Sequence, residues 1–315
     1  MISIGIDLGG TNIKSAVIDR EKGILSKFSV PTQADDGPHA VLDRIAEAVE
    51  NAVREASDKP IGIGIGSPGI ISLDRTTVSH PPNLSGWEVI NVNEEIEKRT
   101  GMQAIVENDA NLMALGSSRY GAGKNMDSLI MLTLGTGVGG GIIYHRELYR
   151  GVTGGAAELG HVIIDYDGPE SNSTAKGGIE AYIGQRFLVR NALPLIRKHP
   201  DNPLAIRFMD TPKELEPIHL SGEADIGNDL AIRILADAGR MLGYAIVNYI
   251  HVLDIRNIIV SGGVAKAGEW ILGPARKTVM ERLMPPFRKG FEIRYEPLGN
   301  DAALLGAGSL AFEHL

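Results

Sequence analysis

Asp109 stands in the run Glu107-Asn108-Asp109-Ala110-Asn111, between a strand-forming segment and a helix-forming one, and is the candidate general base of this chain. A carboxylate in that place can take the proton of an attacking hydroxyl as its bond to phosphorus forms. The position also suits a helix N-cap, a role Asp fills well. Asp7 follows the apolar run Ile2 to Ile6 and precedes Gly9-Gly10-Thr11. A charge at the end of a buried strand needs a partner. Mg²⁺ bridged to phosphates, held by Asp7 through water, is one such partner, and the backbone N–H groups of the turn are another. A second glycine run, Leu134-Gly135-Thr136-Gly137-Val138-Gly139-Gly140-Gly141, repeats the pattern of strand, glycine turn and strand. Glycines leave backbone N–H groups open to a phosphate, and Thr11 and Thr136 each add a hydroxyl. Either turn alone is equally a tight hairpin, but two copies suit a nucleotide held between two similar domains. Neither is a Walker loop, because each turn leads into a strand and lacks the Gly-Lys-Ser/Thr ending.

Glu158, His161 and Glu180 form a looser set, and Asn83, in Pro81-Pro82-Asn83-Leu84-Ser85-Gly86-Trp87, joins it as a polar turn residue. Carboxylates and an imidazole suit a polyhydroxyl ligand, since each carboxylate accepts from two neighbouring hydroxyls. Solvated or structural roles account for the same residue types. Ser261-Gly262-Gly263, ahead of a helix, either lines an adenine or makes a tight strand-to-helix turn.

The elements that must position these residues follow from periodicity. Strands are predicted at Ile2–Ile6, Ile13–Asp19 and Ile24–Val30, an antiparallel start. Pro38 opens a helix in which Val41, Ile45, Val49, Ala52, Val53 and Ala56 make one apolar stripe. Ile61–Ile65 reads as a buried strand, Asn91 with Glu94 as a capping box for a helix ending at Gly101, and Gln103–Glu107 as the next strand. A helix from Ala110 to about Tyr120 then leads into the glycine linker 121–125, where the first domain ends. The second half carries a long apolar helix, Asp229 to about His251, strands at Asn257–Val260 and Glu292–Glu296, and a terminal helix rich in Ala and Gly. Alternating strand sets and helices imply an α/β sandwich of two related domains.

Composition narrows the function. The 315 residues, 43% hydrophobic, can bury a large core. A net charge of −8 without a basic block argues against nucleic acid. No apolar run approaches the roughly 20 residues that span a bilayer, and the chain opens directly on a strand, so the expectation is a cytoplasmic protein with no membrane partner. The absence of cysteine removes thiolate nucleophiles and Cys-containing zinc sites.

Taken together, these residues resemble the ROK family of sugar kinases and sugar-responsive repressors, within the actin/hexokinase-like ATPase superfamily. The motifs are Asp7-x-Gly9-Gly10-Thr11-x-x-Lys14, Glu107-Asn108-Asp109-x-Asn111, Leu134-Gly135-Thr136-Gly137-x-Gly139-Gly140-Gly141, Glu158-x-Gly160-His161 and Ile259-x-Ser261-Gly262-Gly263, spread over nearly the whole chain. The resemblance implies two actin-like (ribonuclease H-like) ATPase domains with a ligand cleft between them. The first would span 1–120, completed by the C-terminal helix at 300–315, and the larger second 121–299. It implies that Asp109 is the base on a sugar 6-hydroxyl and that Asn83, Asn108, Glu158, His161 and Glu180 hold the ring. The segment Gly9, Gly10, Thr11 and Lys14 and the turn Gly135, Thr136 and Gly137 would cradle phosphates of ATP, with Asp7 toward Mg²⁺ and Gly262-Gly263 against adenosine. The expected reaction is transfer of the γ-phosphoryl group of ATP to the 6-hydroxyl of a hexose, with glucose as the acceptor. N-acetylmannosamine, N-acetylglucosamine or fructose as acceptor, and a non-catalytic sugar-sensing role, are the alternatives. Family repressors carry a helix-turn-helix ahead of the first phosphate motif, whereas Asp7 lies seven residues from the start here. The resemblance also implies a homodimer. The cleft is expected to close around the sugar, because Asn83, Asn108 and Asp109 fall in the first half of the chain and Glu158, His161 and Glu180 in the second.

One departure is specific. Many members carry a Cys-x-Cys-Gly-x-x-Gly-Cys zinc site with the histidine matching His161 as fourth ligand; here the stretch reads Ser171-Asn172-Ser173-Thr174-Ala175-Lys176-Gly177-Gly178. No structural zinc is expected, and something else must position His161 and Glu180. Zinc-free relatives include polyphosphate-using glucokinases, so ATP and polyphosphate both stand as donors.

Overall fold

The computed structural model describes residues 1–172 and 176–315; Ser173, Thr174 and Ala175, in the cysteine-free stretch, lie outside the described residues. The chain divides into two compact units, one made of 1–128, 141–157 and 298–315, the other of 129–140 and 158–297.

In the first unit, β1 (Ile2–Leu8), β2 (Asn12–Asp19) and β3 (Gly23–Pro31) form the antiparallel meander that the sequence predicts. Helix α1 (Pro38–Arg54) starts on a proline, which needs no N–H there, and buries Val41, Leu42, Ile45, Val49 and Ala52. The next strand, β4 (Ile63–Ser67), begins two residues later than predicted, at the residue where its parallel pairing with Ile4 of β1 starts. A small sheet of β5 (Ile70–Ile71), β6 (Thr77–Ser79) and β7 (Val89–Asn91) follows. Asn91 caps α2 (Val92–Thr100) by accepting from Glu94 N–H at 3.1 Å, and Gly101 ends it in the left-handed conformation. Then come β8 (Ala104–Asn108) and α3 (Asp109–Tyr120). The order is β3-β2-β1-β4-β8, with β1, β4 and β8 parallel.

The chain then enters the second unit with β9 (Leu129–Leu134), and β10 (Val138–Tyr144) leads back out of it; the outer end of β10 pairs with β11 (Glu147–Leu148) in the first unit. Residues 141–157 group with the first unit, although the sequence places them in the second domain. Arg150 donates to Ser72 O at 2.8 Å and Leu73 O at 2.6 Å, and Gly141 sits against Ala110 and Ala114 of α3. The second unit continues with α4 (Glu180–Ile183), α5 (Gln185–Arg197), α6 (Pro203–Phe208), α7 (Pro217–Asp225) and the 25-residue α8 (Asp229–Leu253). After β12 (Asn257–Ser261) a 3-10 turn over Val264–Ala267 precedes α9 (Glu269–Arg282), where the sequence predicts one helix; Gly268, at φ 57°, interrupts it. A short α10 (Pro285–Arg288) and β13 (Glu292–Tyr295) close this unit. Its sheet places β10 beside β9, then parallel β12 and β13, so both units set a hairpin beside parallel strands.

The C-terminal α11 (Asp301–His314) returns to the first unit. A Cβ on Gly116 of α3 would run into Ala302 O, and one on Gly306 into Leu112 O, so these two glycines let α3 and α11 cross with backbones in contact. No described helix is long and apolar enough to cross a membrane.

Candidate active site

In the first unit the expected residues gather at the C-terminal ends of β1, β4 and β8, the edge where open α/β sheets bind ligands. Register places Lys14, Asp7, Gly66 and Glu107 in one row across four strands. Burial pushes the Asp7 carboxyl above its ordinary range, and Lys14, whose Nζ lies 3.7 Å away, opposes the shift. Gly66, between the two acidic positions, carries no side chain, and a Cβ there would lie 3.8 Å from Asp109 Cα. Asp7 and Asp109 therefore flank one bare stretch of backbone.

The Gly9-Gly10-Thr11 turn is tied underneath. The buried Thr32 donates its hydroxyl to Gly9 O at 2.6 Å and its N–H to Thr11 O at 2.9 Å, while Gly10 and Thr11 stay exposed. Asn83, exposed and left-handed at φ 65°, comes beside Gly10: a Cβ on that glycine would lie 3.3 Å from Asn83 Cβ.

Asp109 is the first residue of α3, and the N-cap reading passes to Asn108. At the end of β8 Asn108 keeps extended backbone angles, which leaves its side-chain oxygen to accept from Ala110 N–H at 3.0 Å and Asn111 N–H at 3.2 Å. The Asn108 amide in turn donates to Gly69 O at 3.3 Å. Behind this turn lies Glu107, fully buried, in ion pairs with Arg75 at 3.1 Å and Arg150 at 2.6 Å. Sequence reasoning places Glu107 in a motif without giving it a role, and it misses both arginines; they lie far away in the chain and carry no local signal.

In the second unit the expected residues gather around the β9–β10 turn. Gly135 donates to Gly137 O at 3.0 Å, and Gly135 O accepts from Gln185 N–H at 2.9 Å. Glu180, 8% exposed, accepts from Val138 N–H at 3.1 Å, and a Cβ on Gly137 would overlap its Oε2. Gly160 packs on Val138 O, which brings the 3-10 turn Leu159–His161 to the same hairpin. There Glu158 Oε2 and His161 Nε2 lie 3.7 Å apart, both exposed, and Leu159 O accepts from the buried Tyr249 hydroxyl at 2.6 Å. Gly262, at φ 98°, presses on the Leu134 backbone, and Gly263 is open. Gly135, Gly137, Glu158, His161, Glu180 and Gly262 thus share one neighbourhood. Thr136 stays exposed at the tip of the turn.

The described residues between His161 and Glu180, on either side of 173–175, make several hydrogen bonds. Ile179 N–H donates to Val162 O at 3.1 Å, Ile164 N–H to Gly177 O at 2.9 Å and Gly177 N–H to Pro169 O at 2.8 Å. Tyr182 donates to Asp165 at 2.9 Å, and Arg190 donates to Glu170 O at 2.9 Å and to Ala181 O at 3.3 Å. Burial and the Asp165 carboxylate push the Tyr182 hydroxyl up to about 12. Among the described residues no group of three or more His, Cys, Asp or Glu is placed to hold a metal ion.

A family model described as the ROK family matches residues 3–314. The glucokinase of Thermotoga maritima is 35% identical over 312 residues, covering 99% of this chain and 98% of that protein. The glucokinase of Streptomyces coelicolor is 36% identical over 315 residues, at 99% and 98% coverage. Among solved structures, a ROK family glucokinase from Streptomyces griseus, in complex with glucose and AMPPNP, superposes with a TM-score of 0.84 at 35% identity and covers 99% of this chain and 100% of that one. The mixed α/β class expected from the sequence is borne out, and the fold is the actin-like ATPase fold of these sugar kinases.

Proposed function

Because this chain belongs to the ROK family, we propose that it transfers the γ-phosphoryl group of ATP to the 6-hydroxyl of glucose. It is an ATP-dependent hexose kinase. The observation that carries the finer reading is Asp109 at the first turn of α3, beside the bare backbone of Gly66 and across from Asp7.

In this reading the Asp109 carboxylate accepts the proton of the attacking hydroxyl, a contribution of about 10²–10⁴-fold. In the first unit, Asn83 and Asn108 offer amides to sugar hydroxyls, and the Gly9-Gly10-Thr11 turn with Lys14 meets phosphate oxygens through N–H, hydroxyl and ammonium donors. In the second unit, Glu158, His161 and Glu180 accept from and donate to ring hydroxyls, Gly135-Thr136-Gly137 meets phosphate, and Gly262-Gly263 lies against adenosine. The donor set suits Mg²⁺, which characteristically takes one or two carboxylates together with phosphate oxygens and water. Asp7 is that carboxylate, largely buried and short of counter-charge, since Lys14, its ion-pair partner among the described residues, stands 3.7 Å away. When bound, the ion supplies charge neutralisation on the phosphates. The hydrogen bonds among the described residues between His161 and Glu180 take the place of structural zinc, and the protein works as a homodimer in the cytoplasm.

Initial rates with glucose, mannose, fructose, N-acetylmannosamine and N-acetylglucosamine, each against ATP and polyphosphate, test the assignment. Glucose with ATP is expected to give the highest kcat/KM. A higher value for an acetamido sugar or for polyphosphate moves the assignment to that substrate, and turnover with none of them overturns it.

A further inference from the structure

We propose that Glu107 is a positioning residue for Asp109, fixing the base through the first turn of α3; the inference rests on the reading of Asp109 as the base. Glu107 is 0% exposed, and its two oxygens divide their work. Oε1 accepts from Asn108 N–H at 2.9 Å and from Asn111 Nδ2 at 3.1 Å, holding the residues on either side of Asp109. Oε2 faces Arg75 Nε at 3.1 Å and Arg150 Nε at 2.6 Å. Among the described residues Asn111 Oδ1 has no partner, so the bond to Glu107 is what orients that buried amide.

Both arginines are themselves anchored. Arg75 O accepts from Val106 N–H at 3.1 Å, and its guanidinium meets His314 Nε2 of α11 at 2.8 Å. Arg150 donates to Ser72 O and Leu73 O. Burial pulls the Arg150 guanidinium below its ordinary range, and Glu107 opposes that shift. A buried ion cluster of this kind is weak evidence for stability, because well-packed apolar residues often serve as well. What it supplies is geometry. The carboxylate ties the turn before β6, the segment after β11, the C-terminal helix and the end of β8 to the one turn that carries Asp109. Reacting groups tolerate little displacement, and about 1 Å of misplacement is enough to lose about a hundredfold in rate.

A double-mutant cycle tests this on the full-length protein, with glucose and ATP as substrates. Glu107→Gln keeps the shape and one acceptor but loses the charge. It should lower kcat by about tenfold or more while KM for glucose and for ATP changes by less than about threefold. In an Asp109→Asn background, Glu107→Gln should cost less than about twofold further, because there is no base left to position; a merely structural role would multiply through. A Glu107→Gln enzyme with parental kcat, or an undiminished loss in the Asp109→Asn background, overturns the proposal. If Glu107→Gln does not fold, Asn111→Ala, which leaves the ion cluster and the bond from Asn108 N–H intact and removes the side-chain bond from the helix, goes through the same cycle: a kcat loss that shrinks in the Asp109→Asn background supports positioning, and a parental kcat or an undiminished loss overturns it. Parental activity in Asp109→Asn alone is a separate result: it withdraws the base assignment and this proposal with it, whereas an inactive Asp109→Asn beside a fully active Glu107→Gln overturns positioning alone.

Discussion

Replacing Gly137 by alanine should move the Glu180 carboxylate and weaken glucose binding in addition to ATP binding, since Gly137 shares the backbone assigned to phosphate with Gly135. Gly137 is not one of the left-handed glycines, so its own backbone accepts alanine. Its Cβ, however, would overlap Glu180 Oε2 and come 3.2 Å from Glu180 Cδ. Glu180 is 8% exposed and accepts from Val138 N–H at 3.1 Å, so it must swing off that donor. A hydrogen bond to a charged group contributes about 1.5–3 kcal/mol, which at about 1.4 kcal/mol per tenfold is about 10- to 150-fold in sugar affinity. Gly135→Ala is the matched control, since a Cβ there meets nothing within 4 Å. It should leave glucose affinity alone and weaken ATP, because it covers backbone assigned to phosphate. Calorimetric titration of both ligands into both variants reads the effect. Glucose affinity within about twofold of the parent in a folded Gly137→Ala protein would refute the placing of Glu180 in the sugar site.

Three further outcomes are expected. Asp7→Asn should raise Tm at neutral pH and abolish turnover: burial raises the Asp7 pKa, so the folded state holds its proton more tightly than the unfolded chain, and the ionised form costs stability above that folded pKa. The Tm gain should shrink as pH falls through the carboxylate range, and thermal melts across pH check the sign. Glu158→Ala should weaken glucose by several-fold, the low end of the range for a carboxylate hydrogen bond because Glu158 is 62% exposed, with ATP unchanged by calorimetry. Elemental analysis should find far less than one zinc per chain, and Tyr182→Phe, which loses the bond to Asp165, should raise glucose KM in a way that added zinc does not restore.

Local features are legible in the sequence. The β1–β3 meander follows from β-branched runs broken by glycine, the stripe of α1 from three- and four-residue spacing, and the end of α2 from Gly101. The start of α3 lies one residue earlier than the sequence predicts, at Asp109, because the end of β8, not the residue type, decides which side chain caps the helix. Contacts between distant segments are hidden. Nothing near Glu107 marks Arg75 or Arg150 as partners, and the return of 141–157 to the first unit depends on where the Arg150 side chain finds carbonyls. Glu180 against Gly137 is a case of close approach, where the glycine is visible in sequence and the carboxylate that requires it is not.

The central claim, a hexose 6-kinase with Asp109 as base, is tested most directly by product analysis. Protein, glucose, ATP and Mg²⁺ should yield glucose 6-phosphate and ADP in equal amounts, with the phosphate located by phosphorus NMR. Asp109→Asn should form the same product about 10²–10⁴-fold more slowly. ADP without a phosphosugar, phosphate on another oxygen, or an undiminished rate in Asp109→Asn would contradict it.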